Sequence, residues 1–567
     1  MPTMLDSYQT YFRNLHPILK GMANRGIPID NARREELRTL INREDAEVTA
    51  KIQSIVPAEV LSTKQKNGFK NPPLLECEEC HLKTREDHIC GVGPADSLFA
   101  QHGGELVSYA DLAAAHGLVL REVTISGAAE KCRCSTKNRS SCSVCHGTGI
   151  IPAGTVEMRW ATPVEFNPNS RPQVIRFMKF LHHPVPKSAK KVDANGDPAD
   201  TTDVKDLERL YVKTKHPIYP LLIEKRQMTK MLGTYVDGWA PGKDGRIHTT
   251  WTFQTATWQL SSRAPNLQNG IKRGRSEGQR ARSELFNRMQ RAEPGHILVN
   301  LDFKSFHAQT TACEAGLPDY LRLAKIDIHS FIACHFLKLP ERFDLLKWSD
   351  ADLKAFLSDL KKDKSRKFHG MIFSDIRSKS KAASLGIGFG MGPRKLYMQY
   401  KEDFENQREA ESMHGMIMHE LFPGLLKWQN SVKARAAEDH QLINRFGAIR
   451  HFYDVQRWDR KTQKMVGGDQ AEAAIAFLPA SNAFGMIRWA MLNLEQTGLC
   501  ERYELINTIH DSLVLHPLIE EADDAISAYL KIMQAPCPMM VYPGVTGPEG
   551  LSVEVEAAKG DCLAEAK

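Results

Sequence analysis

Two short apolar segments, each presenting one carboxylate, constrain the fold of this chain more than any other feature. Leu298–Phe303 is an apolar strand in which Asp302 stands near the end. Residues 506–515 are β-rich on both sides of a polar centre, His510-Asp511, which suits the turn of a hairpin. The pattern predicts a β-sheet that holds acidic residues.

A segment between these two carboxylates in the sequence carries regularly spaced cations. Arg377, Lys381, Leu385 and Phe389 are four residues apart and therefore line one face of a predicted helix. Nucleotidyl transfer uses two Mg²⁺ ions held by carboxylates, and cations can grip the triphosphate. A carboxylate after a strand is usually a cap, and cations four apart are usually a solvated face. The combination and order of these features predict nucleotidyl transfer.

The bulk composition is that of a soluble globular protein. The chain has 567 residues, of which 42% are hydrophobic and 25% are charged. At ~150 residues per domain, this length predicts about four units. No apolar run approaches the ~18 residues of a spanning helix, and the N-terminus lacks the layout of a signal peptide. We therefore expect a cytoplasmic location, in the host cell cytoplasm if the source is viral.

The net charge of +7 is mild, but its distribution is uneven. Two cationic clusters flank the predicted site, one at 272–282 and one at 361–367. Their members are Lys272, Arg273, Arg275, Arg280 and Arg282, and Lys361, Lys362, Lys364, Arg366 and Lys367. A lone cluster is usually a solvated face, but two around one site favour a polyanionic partner.

Helical patterns cover much of the remaining chain. Residues 8–56 are typical of two helices around a break at 26–30. Helical patterns resume from 172 to 231, with a break near 184–202, and again from 324 to 428. A sheet that holds acidic residues beside a helical block gives α+β as the expected fold class.

The twelve cysteines are unevenly distributed, since seven of them fall between Cys77 and Cys145. Clustered cysteines in a cytoplasmic chain indicate metal binding before disulfides. The first expected Zn²⁺ set is Cys132, Cys134, Cys142 and Cys145, and the second is Cys77, Cys80, His88 and Cys90. We expect one or two structural zinc ions, because no ligand position is evidently left open.

Other assignments of these cysteines stay open. His81 or His146 can replace a ligand, ligands can cross between the two sets, or the cysteines can be buried or free thiols. Basic residues beside or between the first set of ligands predict contact with nucleic acid phosphates. They are Lys131, Arg133, Lys137 and Arg139.

The motifs occur in a characteristic order along the chain. They are Met22 with Gly26, Ile27, Ile29 and Asp30; 166–170 with Gln173; 224–230; 234–238; 244–248; 260–262 with 265–269; Asp302; 327–329; Arg377, Lys381, Gly386, Phe389 and Gly390; and His510-Asp511. This set resembles the family A DNA polymerases, which include bacterial DNA polymerase I and phage relatives. The resemblance covers nearly all of the chain except about 57–165.

The resemblance implies a right-hand fold of palm, fingers and thumb, with a zinc-binding insertion in the thumb region. The expected boundaries are 1–56 for the start of the thumb, 57–165 for the inserted zinc-binding module, 166–243 for the thumb helices, 244–316 for the palm with the first catalytic Asp, 317–430 for the fingers, and 431–567 for the palm with the second catalytic Asp.

The resemblance also assigns roles to single residues. Asp302 and Asp511 would bind two catalytic Mg²⁺ ions, with the Phe303 carbonyl as a backbone ligand. Lys381 would contact the triphosphate and act as a general acid toward pyrophosphate. The remaining nucleotide-binding residues would be Arg377, Leu385, Phe389 and His307, and the primer-template residues would be His510, Arg450, Asn266 and Gln268.

Several positions depart from the family's pattern. The family usually has Glu at the position of His307, Phe or Tyr at Leu385, Tyr at Phe389, and Glu at Ser512. An Arg is usual at Gln259, and a Gln is usual where we place Ala480. These departures bear on sugar selection and fidelity rather than on the class of reaction. We expect His307 to act as a gate that crowds a ribose 2′-hydroxyl.

The expected function is template-directed addition of dNTPs to a primer 3′ end on DNA. Few residues precede the predicted thumb, so we expect no proofreading exonuclease in this chain, a layout that fits a phage origin. Expected partners are primer-template DNA and dNTPs, and candidate partners are a separate exonuclease, a helicase and a processivity factor. Two alternatives stay open: a single-subunit RNA polymerase or primase-like enzyme, and an inactive zinc-containing DNA-binding scaffold.

Overall fold

A computed structural model of the chain describes most residues outside the cysteine-rich segment. It describes 12–57, 60–63, 163–192, 197–253, 255–271, 277–368, 370–400, 403–460 and 463–566, together with Thr148 and short strands between 75 and 161. One compact unit consists of Met1–Leu40 with Leu232–Lys567, and the other is Ile41–Met231. No helix in these ranges combines the length and the apolar character needed to cross a bilayer.

The first unit is built around a four-stranded antiparallel sheet, which we call the central sheet. Its strands, in spatial order, are Leu505–Ile509, Ser512–Leu515, Leu298–Phe303 and Val555–Gly560. The hairpin predicted around His510 is confirmed, because the first two strands flank that turn. Short strand pairs surround the sheet. They join Ile27–Pro28 with Arg246–Ile247, Thr250–Thr252 with Ser261–Arg263, Lys367–Phe368 with Met371–Ile372, Gln441–Ile443 with Ile449–His451, and Gln456–Asp459 with Lys464–Gly467.

Helices make up most of the remaining first unit. They are His16–Arg25, the start of Asn31–Ile55, Glu277–Met289, Phe306–Ala315, Pro318–Ile326, Ile328–Phe336, Asp350–Lys362, Phe373–Gly388, Pro393–Gln399, Gln407–Gly415, Pro423–Asp439, Ala471–Gln496, Leu499–Arg502 and Ala522–Met533. Two π-helical turns lie at Leu232–Asp237 and Met416–Leu421. Short 3-10 turns lie at Arg13–Leu15, Pro340–Phe343, Leu345–Lys347, Ile519–Glu521 and Pro538–Met540.

Helix starts in this unit follow from local side-chain chemistry. Ser349 accepts a hydrogen bond from the Asp352 amide, and Asn406 accepts one from the Glu409 amide, so each satisfies an amide that the helix leaves unpaired. Pro423 stands in the first turn of its helix, where the missing N–H costs nothing. The helix Ala471–Gln496 is apolar nearly all round because it runs through the core.

The main core lies against one face of the central sheet. Val299, Leu301 and Phe303 point into it and are at most 2% exposed, whereas the alternate residues Asn300 and Asp302 face away from it. This alternation positions the site: burial of the three apolar residues fixes the register, and the register decides which residues stand beside Asp302.

Within the described residues, the second unit contains three complete helices and the end of Asn31–Ile55. The three are Arg171–Phe180, Val204–Thr214 and Ile218–Met231. The predicted break near 184–202 contains the paired strands Lys187–Val192 and Pro198–Asp200. Other strands of this unit are Ser62–Thr63, Leu75–Glu76, Lys83–Thr84, Phe99–His102, Glu105–Ser108, Val119–Thr124, Glu130–Lys131, Ile150–Ile151, Val156–Ala161 and Pro163–Val164. The expected zinc ligands lie outside the described residues.

Candidate active site

The central sheet brings the two predicted carboxylates together. Asp302 pairs directly with Ser512 on the neighbouring strand, and Asp511 occupies the turn immediately before Ser512. The backbone amide of Phe303 donates to the Asp511 carbonyl at 3.4 Å, while the Phe303 side chain is buried in the core. Two residues separated by more than two hundred positions in sequence are therefore neighbours at one end of the sheet.

A third carboxylate stands on the other side of Asp302. Glu556 pairs with Asp302 across the last strand of the central sheet, so both side chains lie on the same face. Lys304 contacts Glu554 at 3.1 Å and Glu556 at 3.6 Å. Sequence reasoning missed Glu556, because only the strand register reveals its position and no local motif marks it.

Two of the three carboxylates, Asp302 and Asp511, have no protein counter-ion in contact within the described residues. Desolvation by the surrounding protein raises the pKa of Asp302 to about 7, the nearby charges of Asp511 and Glu556 add to the effect, and Lys381 opposes it. In the part of the chain that the structure describes, neither the Asp302 nor the Asp511 side chain has a hydrogen-bond or ion-pair partner. Adjacent unpartnered carboxylate oxygens suit a hard divalent cation such as Mg²⁺.

The predicted cation-bearing helix is confirmed as Phe373–Gly388, and we call it the cation helix. One side, including Ile376 and Ile387, is buried in the core, and Gln429 donates to the Ile387 carbonyl at 2.6 Å. Lys381 is exposed on the opposite side, within electrostatic range of Asp302. The helix therefore presents a cation toward the carboxylate cluster, as its spacing predicted.

Arg377 is held by a carboxylate of the preceding helix. Its Nε and Nη2 donate to the two oxygens of Asp327 at 2.8 and 3.0 Å. Burial alone would raise the pKa of Asp327, but the hydrogen bonds and charge of Arg377 lower it overall. Asp327 also accepts from the Ser330 amide at 3.1 Å and so caps the helix Ile328–Phe336. An anion that binds Arg377 must compete with Asp327 for it.

His329 lies next to this pair and is almost fully buried. Its Nδ1 is 2.8 Å from the Ser384 hydroxyl on the cation helix. Burial lowers the pKa of His329 to about 3, and the nearby positive charge of Arg377 acts in the same direction. The imidazole is therefore neutral and connects the two helices by a hydrogen bond.

The positions expected to select the sugar and the base meet at the end of the cation helix. The rings of His307 and Phe389 contact edge to face, with centroids 5.5 Å apart. Burial lowers the pKa of His307, and its Nδ1 has no hydrogen-bond partner within the described residues. Leu385 lies one turn before Phe389 and is partly exposed. The His307 imidazole is therefore neutral and packs against Phe389.

Three of the predicted primer-template residues lie on segments that adjoin the hairpin turn. His510 is exposed in that turn with a left-handed φ of 56°. Gln268 donates to the Thr508 carbonyl at 3.4 Å on the hairpin strand. The Asn266 side-chain oxygen accepts from the amides of Gln268 and Asn269, so it stabilises its own loop. Arg450 lies instead on the strand Ile449–His451, with its guanidinium 4.8 Å from the Phe452 ring centre.

One further group has the composition of a metal site, but two of its three members already hydrogen-bond to the protein and to each other. The ligand atoms of His296, Glu504 and His516 lie within 4.8 Å of one another. His516 Nε2 accepts from the Glu293 amide at 3.2 Å, so its proton is on Nδ1, which donates to Glu504 at 2.7 Å. Both nitrogens of His516 are therefore occupied by protein hydrogen bonds.

The cationic cluster at 361–367 is confirmed as an exposed surface. Lys361, Lys362, Lys364, Arg366 and Lys367 are all exposed. Asp363, the one acid among them, accepts hydrogen bonds from the Ser365 and Arg366 amides and so closes a turn. Within the described chain, no carboxylate forms an ion pair with any of these five cations.

Comparisons of sequence agree with this geometry. The sequence model of DNA polymerase family A matches residues 155–344. DNA polymerase I of Caldicellulosiruptor bescii is 25% identical over 370 residues, which are 63% of this chain and 37% of that protein. The thermostable DNA polymerase I of Thermus aquaticus is 25% identical over 388 residues, which are 66% of this chain and 40% of that protein. The matched segment thus covers about two fifths of these relatives.

A solved structure shares the fold. The structure described as the POL domain of Pol1 from M. smegmatis in complex with DNA primer-template and dNTP aligns with a TM-score of 0.52 and 22% sequence identity. The alignment covers 71% of this chain and 62% of that one. The likeness shows a polymerase-domain fold of mixed helices and strands. Together with the ordered motifs, the family model and the sequence matches make this chain similar to DNA polymerase family A.

Proposed function

We propose that this chain is a DNA-directed DNA polymerase that adds dNTPs to a primer 3′ end by two-metal nucleotidyl transfer. The observation that carries the proposal is the pairing of Asp302 with Ser512, which puts Asp511 beside Asp302 at one end of the central sheet. Lys381 on the cation helix lies within electrostatic range of this pair. Carboxylates for metals and cations for phosphates are the two requirements of the reaction.

Asp302 and Asp511 would hold two Mg²⁺ ions, with the Phe303 carbonyl as a further ligand. When bound, these ions supply charge neutralisation on the triphosphate and a lowered pKa of the primer 3′-hydroxyl. Two observations support the assignment of Mg²⁺ to this site. The Asp302 and Asp511 side chains have no protein partner within the described residues, and the pKa of Asp302 is elevated, which a divalent cation would lower again. The negative charge that destabilises the unliganded site thus favours cation binding.

The remaining chemistry falls to the cation helix. The primer 3′-hydroxyl gives its proton to solvent water, and its oxygen attacks the α-phosphorus to form a new P–O bond. The bond from the α-phosphorus to the oxygen that bridges to the β-phosphorus breaks, and pyrophosphate leaves with that electron pair. Lys381 is placed to contact the triphosphate and to give a proton to the departing pyrophosphate. Arg377 would leave Asp327 and bind the outer phosphates of the nucleotide instead. Nucleotide binding would therefore be linked to the release of Arg377 from Asp327.

Nucleotide selection is assigned to three residues at the end of this helix. His307 and Phe389 form one edge-to-face unit, and Leu385 stands one turn away. A rigid imidazole packed against an aromatic ring would crowd a ribose 2′-hydroxyl. We propose that His307 is the sugar gate and that Phe389 meets the nascent base pair.

Primer-template DNA would lie against the hairpin turn and the basic surfaces. His510 is exposed at the turn, and Gln268 reaches the same hairpin. The Asn266 oxygen is occupied by backbone amides, so its NH₂ group is the part left for DNA. Arg450 and the exposed cations at 361–367 would meet phosphates.

The finer architecture is proposed on the family's pattern. We assign the thumb to 1–56 and 166–243, the palm to 244–316 and 431–567, and the fingers to 317–430. Segment 57–165 would be a zinc-binding insertion in the thumb, with the two ligand sets beginning at Cys77 and Cys132. A cytoplasmic site of action and separate exonuclease, helicase or processivity partners complete the proposal.

Primer extension tests this function directly. The wild-type chain is supplied with a DNA primer-template, Mg²⁺ and either dNTPs or rNTPs, beside Asp302→Ala. Asp524→Ala, which removes an exposed carboxylate from the helix Ala522–Met533, serves as the control. We expect extension with dNTPs that is abolished by Asp302→Ala and retained by the control.

Other outcomes separate the alternatives. Extension with rNTPs alone would assign the chain to RNA synthesis, as would initiation without a primer. DNA binding without extension by either nucleotide type would favour the inactive scaffold. Degradation of a mismatched primer by the purified chain would contradict the expected lack of an exonuclease.

The sugar gate has its own test. His307→Ala should reduce the preference for dNTPs over rNTPs by about tenfold or more, because it removes the bulk that crowds the 2′-hydroxyl. His307→Gln keeps much of that bulk and should retain most of the preference. An unchanged preference in His307→Ala would contradict the gate.

The zinc assignment is tested by metal analysis of the purified protein. One or two zinc ions per chain are expected, with the loss of one ion when Cys132 and Cys134 are both replaced by Ser. A chain that contains no zinc after purification without chelators would contradict the assignment. A shorter product per binding event in the double variant would indicate that the module contacts DNA.

A further inference from the structure

A small hairpin in the first unit presents apolar side chains to solvent, and we call it the aromatic hairpin. Its strands are Gln456–Asp459 and Lys464–Gly467, paired so that Trp458 stands opposite Met465. The two side chains lie on one face, and each residue is 55% exposed. Sequence reasoning did not single out this segment. The tryptophan and the methionine thus form a small exposed apolar patch that lies outside the core.

The base of the aromatic hairpin is firmly attached to the unit. The Gly468 amide donates to the Val455 carbonyl at 2.8 Å, and the Asp469 amide donates to Asp454 at 2.9 Å. The Gln470 side-chain oxygen accepts from the amides of Tyr453 and Asp454 at 2.7 and 3.1 Å. Because these bonds close the base, the apolar face is held in a defined position.

The charge of the aromatic hairpin is positive. Residues 453–467 contain four cations, Arg457, Arg460, Lys461 and Lys464, against the two acids Asp454 and Asp459. Asp454 is used at the base, where it binds the Asp469 amide and lies 4.0 Å from Arg457. Arg460 is exposed in the turn, and Lys464 is exposed opposite Asp459 on the other face of the hairpin. Aromatic and cationic side chains together are the chemistry that recognises single-stranded nucleic acid.

The position of the aromatic hairpin relates it to the candidate active site. The helix Ala471–Gln496 begins directly after the hairpin, and its first residues pack on the end of the cation helix. A Cβ atom placed on Gly390 would lie 2.7 Å from Ile475, and Lys395 forms an ion pair with Glu472. Gly390 follows Phe389, the residue assigned to the nascent base pair. The base of the hairpin is therefore one helical turn from the place where a template base would be read.

We propose that the aromatic hairpin binds the single-stranded template ahead of the primer terminus. Trp458 and Met465 would stack against unpaired bases, and Arg460 in the turn and Lys464 on the opposite face would attract the phosphates of the strand. The inference rests on the proposed polymerase function, because that function supplies an unpaired template strand at this end of the site. The positive charge of the aromatic hairpin is complementary to the phosphates of a nucleic acid strand. A partner protein with few acidic residues would lack this complementarity.

The test compares two primer-templates that share one duplex and differ only in the unpaired template, about one or about ten nucleotides long. Dissociation constants are measured for the full chain, for Trp458→Ala and for Trp458→Phe. The wild type should bind the longer overhang more tightly. Trp458→Ala should reduce this gain by about fivefold or more, the lower end of base stacking on one aromatic ring. Trp458→Phe should retain most of it.

Matched controls separate stacking from other causes. Phe343→Ala removes another exposed aromatic ring, 70% exposed and covered by Arg342, and should leave the gain unchanged. Arg460→Gln with Lys464→Gln should lower the salt dependence of binding to the longer overhang. Equal weakening on both overhangs in Trp458→Ala would overturn the proposal, as would an unchanged gain or a wild type without any gain.

This test stands apart from the test of the proposed function. A wild-type chain that binds primer-template but does not extend it would refute the polymerase proposal alone. A chain that extends primers normally while Trp458→Ala keeps the full gain would refute the inference alone. In that second case, a protein that binds the wild type and loses its binding with Trp458→Ala would be the occupant instead.

Discussion

The first unit contains two clusters of carboxylates on or beside the central sheet. The protein supplies hydrogen-bonding partners to the acids of one cluster but not to Asp302 and Asp511 in the other. At one cluster, Arg246 binds both oxygens of Glu293 at 2.8 and 2.5 Å, and His516 donates to Glu504. At the other cluster, Asp302 and Asp511 have no hydrogen-bond or ion-pair partner for their side chains in the described ranges. Both clusters consist of acidic side chains, so they differ in their hydrogen-bond and ion-pair partners rather than in residue type.

The pKa values move accordingly. The Arg246 hydrogen bond lowers the pKa of Glu293, and the His516 hydrogen bond lowers the pKa of Glu504. The pKa of Asp302 instead rises to about 7. A cluster that the fold neutralises stabilises the fold, whereas a cluster that it leaves charged is available to a ligand. Four predictions test this difference between the two clusters.

The largest effect is expected at the cation that faces the unpartnered cluster. Lys381→Gln should reduce the maximal rate of extension by ~100- to 1,000-fold, because it removes a proton donor and a charge at the departing pyrophosphate. Single-turnover extension at saturating dNTP measures the effect. The control is Lys354→Gln, which changes an exposed lysine on the helix Asp350–Lys362. Lys379 is not suitable as a control because it forms a buried ion pair with Glu409. A loss below about threefold would contradict the assigned role.

The second effect concerns stability at the neutralised cluster. Arg246→Met should lower the free energy of unfolding by roughly 2–3 kcal/mol, because it leaves Glu293 without its bidentate partner. Both acids of this cluster reach solvent, so the loss stays below that of a fully buried pair. Chemical denaturation measures it. Arg288→Met, at an exposed ion pair with Glu284, should cost less than about 0.5 kcal/mol, and equal losses would contradict the comparison.

The third effect is a dependence of stability on pH. The folded-state pKa of His329, about 3, lies below its ordinary value, so the unfolded chain takes up the proton more readily. The corresponding stability is complete above about pH 6.5 and falls as the pH drops toward 3, by about 2 kcal/mol between pH 7 and pH 5. Denaturation at both pH values should show that His329→Gln loses about that much less than the wild type. Parallel losses would contradict the buried neutral imidazole.

The smallest effect is expected at Glu556, the third carboxylate, which stands beside Asp302 and lies 3.6 Å from Lys304. Glu556→Gln should weaken divalent cation binding by about two- to fivefold, which is the range expected for the loss of one exposed charge near the site. Titration with Mn²⁺ followed by electron paramagnetic resonance measures binding without any nucleotide. Glu554→Gln, the neighbour that pairs with Lys304, is the matched control. A larger loss in the control would show that Glu556 does not act on the metal site.

Much of the fold was predicted because local patterns determine it. The strand at Leu298–Phe303, the hairpin at His510 and the helix that carries Arg377 each follow from alternation or from a spacing of four. The break at 26–30 between two helices is confirmed as the short strand Ile27–Pro28. In each case the residues that determine the secondary structure lie within about one turn of helix or one strand.

The remaining features depend on contacts distant in sequence. Glu556 was missed because its place beside Asp302 depends on strand register. The Asp327 side chain that holds Arg377 is fifty positions away, so the spacing of cations did not reveal it. The aromatic hairpin was missed because a single Trp in a polar segment carries no periodic signal. The roles of single site residues and the zinc ligands stay predictions.

The most direct test of the account measures primer extension and thermal unfolding side by side for Asp302→Ala and Glu504→Ala. The account predicts opposite results. Asp302→Ala should abolish extension while its unfolding temperature is unchanged or raised, because a repelled carboxylate is removed. Glu504→Ala should keep extension while its unfolding temperature falls, because the buried His516 loses its acceptor. Extension retained by Asp302→Ala, or lost only through a collapse of its stability, would contradict the claim that the unpartnered carboxylates are the catalytic centre.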